Sequence, residues 1–444
     1  MIRITRYRTC ARSCVGAIVA FFVAGLPLAS YGQAADPNRA ADQGPAAYQG
    51  GGHSCGKNEA WDNSMSMCMP SPGAKGLLVS GQFNLFAAFS ALQGPRGDDQ
   101  FAAPNMFMVD VGRTVGSRQF FNIDLMGTAE LWTYPYHGYP ELLQIGEERS
   151  DGTPYVDAQH PHTSPIMGLT LSDTIALRDA ETLKLFFAPR GESTDGPIAY
   201  MHRDSARDDP DAPLGHHVGQ DVGHISSTVL GAQVDLGRWI VEASGFNGTE
   251  PQPTHVDLPL GPINSEALRV TYVISPEHRA MASVAHVEQT DPQYPGITSV
   301  VRLSASVYDR LAPIGFGPID HTFVIGSIKR NPTVPALTSF LDEAVMSYGG
   351  SDLWERIEVL QRLASELDIP MPPAVGATNE SRWVAAMTVG YTRWLASHSG
   401  LQLGVGTSLT MDVVPPEWAG AYGHRTPLTV RLILQLRGSG RWQH

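Results

Sequence analysis

The segment Leu428-Thr-Val-Arg-Leu-Ile-Leu-Gln-Leu-Arg437 decides the fold, because an apolar side chain recurs at every second position. One face carries Leu428, Val430, Leu432, Leu434 and Leu436, and the other carries Thr429, Arg431, Ile433, Gln435 and Arg437. Side chains of a β-strand point alternately to its two faces, so this period of two predicts a strand. The strand is expected to separate an apolar environment from a polar one.

The same alternation recurs along most of the chain after residue 76. Residues 401–411 and 298–309 show it clearly, with small or charged side chains opposite the apolar ones. The pattern predicts an all-β chain of about sixteen strands, with about fourteen as the alternative count. The candidate strands run over residues 77–92, 105–115, 118–132, 164–178, 182–188, 222–236, 238–247, 264–274, 279–288, 298–309, 319–330, 336–348, 353–362, 382–394, 400–411 and 427–437.

The lengths of the connections between these strands distinguish a membrane barrel from a soluble sandwich. Every second connection is short, as at 116–117, 179–181 and 275–278. The intervening connections are mostly long: 133–163, 189–221, 248–263, 363–381 and 412–426. Short periplasmic turns and long extracellular loops are typical of antiparallel outer-membrane barrels. Residues 76–444 are therefore predicted to form a single transmembrane antiparallel β-barrel, with outer-membrane lipid around it.

The N-terminal residues predict export. Residues 1–34 combine arginines, an apolar run and small residues, as in a secretory signal peptide, and residues 35–75 are expected to be a flexible segment. After residue 34 no run reaches the roughly 18 apolar residues that a spanning helix needs. The net charge of −13 is spread along the chain without a basic tract, which argues against a nucleic-acid partner. We therefore expect the outer membrane of a Gram-negative bacterium.

The segment 35–75 contains one local feature of chemical interest, a group of sulfur-containing side chains. Thioethers and thiolates suit soft ions such as Cu(I), so these residues form a candidate copper site. The alternative is a Cys55–Cys68 disulfide beside incidental methionines. The residues concerned are Cys55, Met65, Met67, Cys68 and Met69.

Histidines and carboxylates concentrate in two of the long loops. If all long loops share one end of the barrel, loops 133–163 and 189–221 flank a single hairpin and their histidines converge. Imidazoles with a carboxylate suit Zn(II), Cu(II) or Ni(II), and the alternative is a hydrogen-bonded loop network. The candidate ligands are His160, His162, His202, His216, His217, Asp221 and His224, with His224 expected just inside a strand.

The acidic tract Arg203–Asp211 gives two further alternatives. Its carboxylates could bind Ca²⁺, or the tract could be a solvated loop whose charges pair with one another. The motifs of zinc proteases, serine hydrolases and phosphate-binding loops do not occur in the sequence.

Several runs around these histidines resemble a family of uncharacterised bacterial putative outer-membrane proteins. The resemblance covers most of the chain after about residue 76, and such proteins often have a Met/His-rich start. It implies a β-barrel but no biochemical activity. The runs are Tyr139–Glu147, Tyr155–His162, Gly196–Arg203, Ala212–His217 and Phe246–Pro251.

The sequence thus predicts a non-enzymatic outer-membrane channel or transport/surface protein, with copper handling as an open extension. Its expected partners are lipid, the barrel-assembly machinery, and small solutes or metal ions. The last predicted strand ends before Trp442 and so lacks the terminal aromatic usual in barrel-assembly signals. Lumen-facing Arg302, Arg431 and Arg437 would set selectivity. The alternatives are a secreted or periplasmic β-rich metalloenzyme, and a soft-metal capture protein that acts through residues 53–69.

Overall fold

The strands of the chain close into one antiparallel β-barrel, in which sixteen strands lie within the described residues. The computed structural model describes residues 59–62, 67–70, 72, 76–162, 165–178, 181–256, 258, 260–288, 296–313, 315–331, 335–370 and 381–443. Within them, no helix is both long and apolar enough to cross a membrane.

The strands, in chain order, are β1 (Glu59–Asp62), β2 (Met67–Pro70), β3 (Leu77–Leu92), β4 (Gln100–Ala102), β5 (Asn105–Val115), β6 (Gln119–Gly127), β7 (Tyr139–Glu148), β8 (Pro154–Gln159), β9 (Ile166–Arg178), β10 (Glu181–Gly191), β11 (Ser226–Asp235), β12 (Trp239–Asn247), β13 (Ser265–Ser275), β14 (His278–Glu288), β15 (Ser299–Leu311), β16 (Ile319–Asn331), β17 (Leu337–Tyr348), β18 (Ser351–Leu363), β19 (Ser381–His398), β20 (Leu401–Val413) and β21 (Leu428–Gln443). The short helices are α1 (Glu130–Thr133) and α2 (Ala419–Tyr422), with 3-10 turns at Tyr200–His202, Asp204–Ala206, His216–Val218 and Pro416–Trp418. The barrel wall consists of β3, β5, β6 and β9–β21, and β4 pairs with β3.

The apolar face of each strand points outward. On β21, Leu434 is 47% exposed and Leu432 is 38% exposed, whereas Arg431 is 1% exposed and Gln435 is fully buried. A soluble sandwich has the opposite arrangement, because its apolar face packs against a second layer. An apolar outer face with a polar interior is the arrangement of a barrel that crosses a bilayer.

The two ends of the barrel differ as predicted. Turns 116–118, 349–350 and 399–400 are short, and the first and last barrel strands pair at the same end, with Leu78 opposite Gln443. The other end carries the long connections: 93–104, 128–165, 192–225, 248–264, 364–380 and 414–427.

Several predicted strand boundaries are wrong, and three of them bear on the site or on the closure of the barrel. The expected strand 118–132 stops at Gly127, where a Cβ would lie 2.4 Å from the Pro165 carbonyl oxygen, and α1 follows. His224 precedes β11 instead of lying inside it. The closing strand extends to Gln443, because its pairing with β3 continues past Gly438, so Trp442 lies in that strand after all.

Loops that were expected to be irregular contain additional pairing. Residues 128–165 include the hairpin of β7 and β8, and we name the whole segment the hairpin loop. In the N-terminal segment, β1 and β2 form a small ribbon in which Trp61 is opposite Cys68. The predicted signal peptide, Cys55 and Met65 lie outside the described residues.

Residues 192–225, which we name the lumenal loop, lie inside the barrel. Ser205 Oγ donates to Thr322 Oγ1 of β16 at 2.6 Å, and Ser339 Oγ of β17 donates to the Val218 carbonyl at 2.7 Å. Gly326 of β16 permits this approach, because a Cβ there would lie 2.2 Å from the Val218 oxygen. The loop therefore crosses from its own strands to the opposite wall.

Candidate metal centre in the barrel lumen

Wall arginines fix the acidic tract of the lumenal loop. Asp208, Asp209 and Asp211 lie 3.0 Å from the guanidinium groups of Arg437, Arg356 and Arg431, respectively. Arg203 of the loop pairs in turn with Glu343 of β17 at 2.8 Å. The expectation of a solvated, self-paired loop is wrong, because the tract is buried and its partners come from the wall. The guanidinium groups of Arg356, Arg431 and Arg437 therefore anchor the loop.

Burial changes the charge balance of this tract. Burial raises the pKa of Asp208 to about 7, although Arg437 favours its charged form. Burial likewise raises the pKa of Asp209 to about 7 against the opposing effect of Arg356. Both carboxyl groups therefore change protonation near neutral pH.

Asp157 holds the hairpin loop in its bent conformation. Its carboxylate accepts hydrogen bonds from the Leu143 amide at 2.7 Å and from the Tyr422 hydroxyl at 2.9 Å, and it also pairs with Arg96. Leu143 and Asp157 both have positive φ, at 69° and 53°, a conformation that costs free energy unless the surroundings impose it. These contacts place the end of β8, and with it His160, in the lumen.

One half of the histidine cluster combines two histidines with two glutamates. His160 Nε2 lies 2.7 Å from Glu147 Oε2, and His217 lies 3.6 Å from both Glu147 and Glu250. His160 fits there because Gly146 has no side chain: a Cβ would lie 2.7 Å from the His160 ring. The hairpin loop, the lumenal loop and loop 248–264 therefore all contribute to this half.

The other half lies around Asp221. His216 Nδ1 is 3.4 Å from Asp221 Oδ2, and His224 Nδ1 is 3.6 Å from Asp221 Oδ1. His162 lies beside His224, with 5.2 Å between ring centroids, and its Nδ1 lies 2.6 Å from Glu130 Oε2. The two halves meet at His216 and His217, whose ring centroids are 4.5 Å apart.

Three sets of side chains place potential ligand atoms within 4.8 Å of one another in the described part of the chain. The sets are His160, His216 and His217; His216, Asp221 and His224; and Glu147, His217 and Glu250. Since neighbouring sets share His216 or His217, the cluster can hold one ion in alternative positions or two ions close together.

Several potential ligand atoms in the cluster make no hydrogen bond among the described residues. They are both carboxylate oxygens of Asp221, Nδ1 of His216, Nε2 of His217 and Nε2 of His224. Burying a polar group without a partner is costly. A bound cation would give all of these atoms a partner, so the donor set fits a transition metal.

Burial keeps three imidazoles of the cluster neutral. It lowers the pKa of both His216 and His224 to about 3 and that of His217 well below the usual range. His160 is the exception: burial opposes its charge, but the Glu147 carboxylate outweighs burial and raises its pKa to about 9. Neutral imidazole is the form that binds a metal.

The sequence predicted most of this convergence but not all of it. His160, His162, His216, His217, Asp221 and His224 do come together. His202 belongs to none of the three ligand sets, and its Nε2 lies 3.2 Å from Glu192 Oε1. Glu130, Glu147 and Glu250 were missed as candidate ligands, although Glu147 and Glu250 lie in two of the runs that carry the family resemblance. Of the N-terminal candidates, Met67, Cys68 and Met69 lie in β2.

Solved structures of porins have a fold similar to that of this chain. The anion-selective porin from Comamonas acidovorans matches with a TM-score of 0.50 and 10% identity, over 81% of this chain and 99% of that chain. Pseudomonas putida OprB, in its high-pH structure, matches with a TM-score of 0.50 and 9% identity, over 82% and 94%. No protein-family model matches the sequence, and a search of curated proteins finds no significant match. The chain therefore shares the barrel fold of these porins.

Proposed function

We propose that this chain is a non-enzymatic channel or transport protein of the outer membrane that binds a transition-metal cation inside its barrel. Two observations support the membrane location: the exposed apolar outer face and the porin fold. Charged side chains concentrate on the opposite, lumenal face, where they contact the lumenal loop. A lipid-facing exterior and a polar interior are what a solute pathway across the outer membrane requires.

The observation that carries the metal proposal is the buried cluster itself. Two loops that are separated along the chain bring His160, His216, His217 and His224 together inside the barrel. Asp221 supplies a carboxylate whose two oxygens make no hydrogen bond among the described residues. Imidazole nitrogens with a carboxylate suit Zn(II), Cu(II) and Ni(II). A purely structural network would join these atoms by hydrogen bonds, whereas His216 Nδ1 and Asp221 Oδ2 lie 3.4 Å apart without one.

Metal content of the purified protein tests this proposal. Protein extracted from the outer-membrane fraction, and heat-modifiable on a denaturing gel, is expected to retain stoichiometric Zn(II), Cu(II) or Ni(II) after dialysis. The double variant His216→Ala/His217→Ala is expected to lose it. The matched control is His278→Ala/His321→Ala, since these histidines lie on the same outward face as the exposed Val284 and Ile325.

Two outcomes contradict the proposal separately. Equal metal content in wild type and in the His216/His217 variant would contradict the metal site but not the channel. Recovery in the soluble periplasmic fraction, without heat-modifiable migration, would contradict the proposed membrane location.

A further inference from the structure

Methionines gather on one sector of the lumen wall. Met106 and Met108 of β5, Met126 of β6 and Met167 of β9 form a buried cluster, against which Met201 of the lumenal loop packs. Met108 is opposite Met126 in the pairing of β5 with β6. The thioethers therefore come from the adjacent strands β5 and β6, from β9 and from the lumenal loop.

A concentration of thioethers distinguishes this sector from the rest of the lumenal face. Elsewhere the buried side chains of that face are polar, such as Arg302 and Thr388, or apolar without sulfur, such as Val345, Trp354 and Ile433. Methionine often fills gaps in an apolar core because it is flexible. Here, however, the cluster borders polar cavities, and Gln82 Nε2 donates to Met108 Sδ at 3.3 Å.

Two cavities lie against the cluster, and each contains a histidine and a glutamate. One is lined in part by Met108, Met126, Glu192 and His202, with Asp124, Lys184, Glu242 and Arg269 also in its wall. The other is lined in part by Met106, Met201, Glu130 and His162. Met106 and Met201 thus lie beside the candidate metal centre, whereas Met108 and Met126 face His202.

His202 supplies an independent indication of a ligand. Its side chain is 2% exposed, and its Nδ1 is buried without a hydrogen-bond partner among the described residues. Its Nε2 lies 3.2 Å from Glu192 Oε1. Neither ring nitrogen of His202 has a hydrogen-bond partner among the described residues, and two thioethers line the same cavity, so a bound cation would supply a partner for the imidazole.

We propose that Met108, Met126 and His202 bind a soft monovalent cation, Cu(I) or Ag(I), in the cavity between β5, β6 and the lumenal loop. Thioether sulfur is a soft ligand that selects Cu(I) over harder divalent ions, and imidazole is compatible with copper. Of the carboxylates that also line this cavity, Glu242 is bound by Arg269 at 2.7 Å. This site is separate from the cluster around His216 and His217, and it does not depend on metal binding there.

Ag(I), which does not change oxidation state under these conditions, is the probe. The full-length protein is titrated with Ag(I) in detergent against a competing chelator, and bound silver is counted after dialysis. Met108→Leu/Met126→Leu is expected to lose one bound Ag(I) or to weaken it at least tenfold, with Zn(II) binding unchanged. Leucine preserves the apolar volume at small cost. The control Met387→Leu, at a position 37% exposed on β19, is expected to bind Ag(I) as the wild type does.

The comparison of two ions separates this inference from the proposed function. His216→Ala/His217→Ala is expected to lose Zn(II) and to keep the Ag(I) bound at Met108 and Met126. Unchanged Ag(I) affinity and stoichiometry in the double leucine variant would overturn the inference, because any silver would then be held elsewhere. If that variant does not fold, wild-type protein labelled at the methionine methyl carbons still decides: Ag(I) must shift the Met108 and Met126 resonances, and unshifted resonances reject the site.

Discussion

Arg431 of β21 lies 3.0 Å from Asp211 of the lumenal loop, and the Tyr139 hydroxyl connects them. Arg431 Nε donates to that hydroxyl at 2.7 Å, and the hydroxyl donates to Asp211 Oδ1 at 2.7 Å. One wall residue thus holds both the hairpin loop and the lumenal loop. Because the three side chains are buried, the contact is protected from solvent screening.

Arg431→Met is expected to loosen both loops. Removing one partner of a buried ion pair leaves an uncompensated charge and costs about 3–5 kcal/mol. The variant should convert to its heat-denatured gel form at a lower temperature, and its single-channel current should fluctuate more. Arg178→Met is the control, since its pair with Glu181 has an arginine side chain 81% exposed and is worth about 0–1 kcal/mol. Equal shifts for the two variants would contradict the anchoring role.

Gly326→Ala is expected to displace the lumenal loop without altering a ligand. The new Cβ would lie 2.2 Å from the Val218 carbonyl oxygen, which is part of the backbone and must move. Since Val218 follows His217 directly, metal affinity should fall at least tenfold while the barrel still forms. Metal titration and gel migration measure the two effects. Gly81→Ala is the control, because the atom nearest to its new Cβ would be 3.6 Å away. An equal loss of metal affinity in Gly81→Ala would refute the explanation.

The stability of Asp208→Asn relative to wild type is expected to rise with pH. Burial raises the folded-state pKa of Asp208 from 3.8 to about 7, so the folded state favours the protonated carboxyl. The resulting loss of folding free energy, caused by ionisation of Asp208, is absent below pH ~4, grows between pH ~4 and ~7, and is complete above that range. Asparagine has no such penalty. The difference in denaturation temperature between variant and wild type should therefore increase from pH 4 to pH 8, and a flat difference would show that the pKa is not raised.

Leu434→Arg tests which medium covers the outer face. Leu434 is 47% exposed on β21, and an arginine facing lipid near the bilayer midplane costs about 2–4 kcal/mol. Folding into vesicles should become less favourable by an amount of that order, whereas Leu434→Met should change it little. If Leu434→Arg folds as well as Leu434→Met, the outer face is in contact with water and the barrel does not span a membrane.

The order and spacing of strands could be predicted from local pattern. The alternation in 401–411 and 428–437 depends only on neighbouring residues, and the short turns alternate with long loops along the chain itself. The strand ends that local pattern did not predict depend on contacts between distant parts of the chain. At Gly127, the last residue of β6, Pro165 occupies the space that a side chain would need, and this contact joins residues that are distant in sequence. Trp442 joins the last strand because β3 offers pairing partners beyond Gly438.

The sequence alone determined the β class, the approximate strand number and the convergence of the histidine-bearing loops, because periodicity and loop alternation are properties of the chain. Only the tertiary structure decided that the lumenal loop folds inward, that wall arginines pair with its aspartates, and that Glu130 and Glu147 join the histidines. It also placed His202 with Met108 and Met126. The physical reason is that these contacts join residues from separate loops and strands, and no local pattern records which of them will be neighbours once the barrel closes.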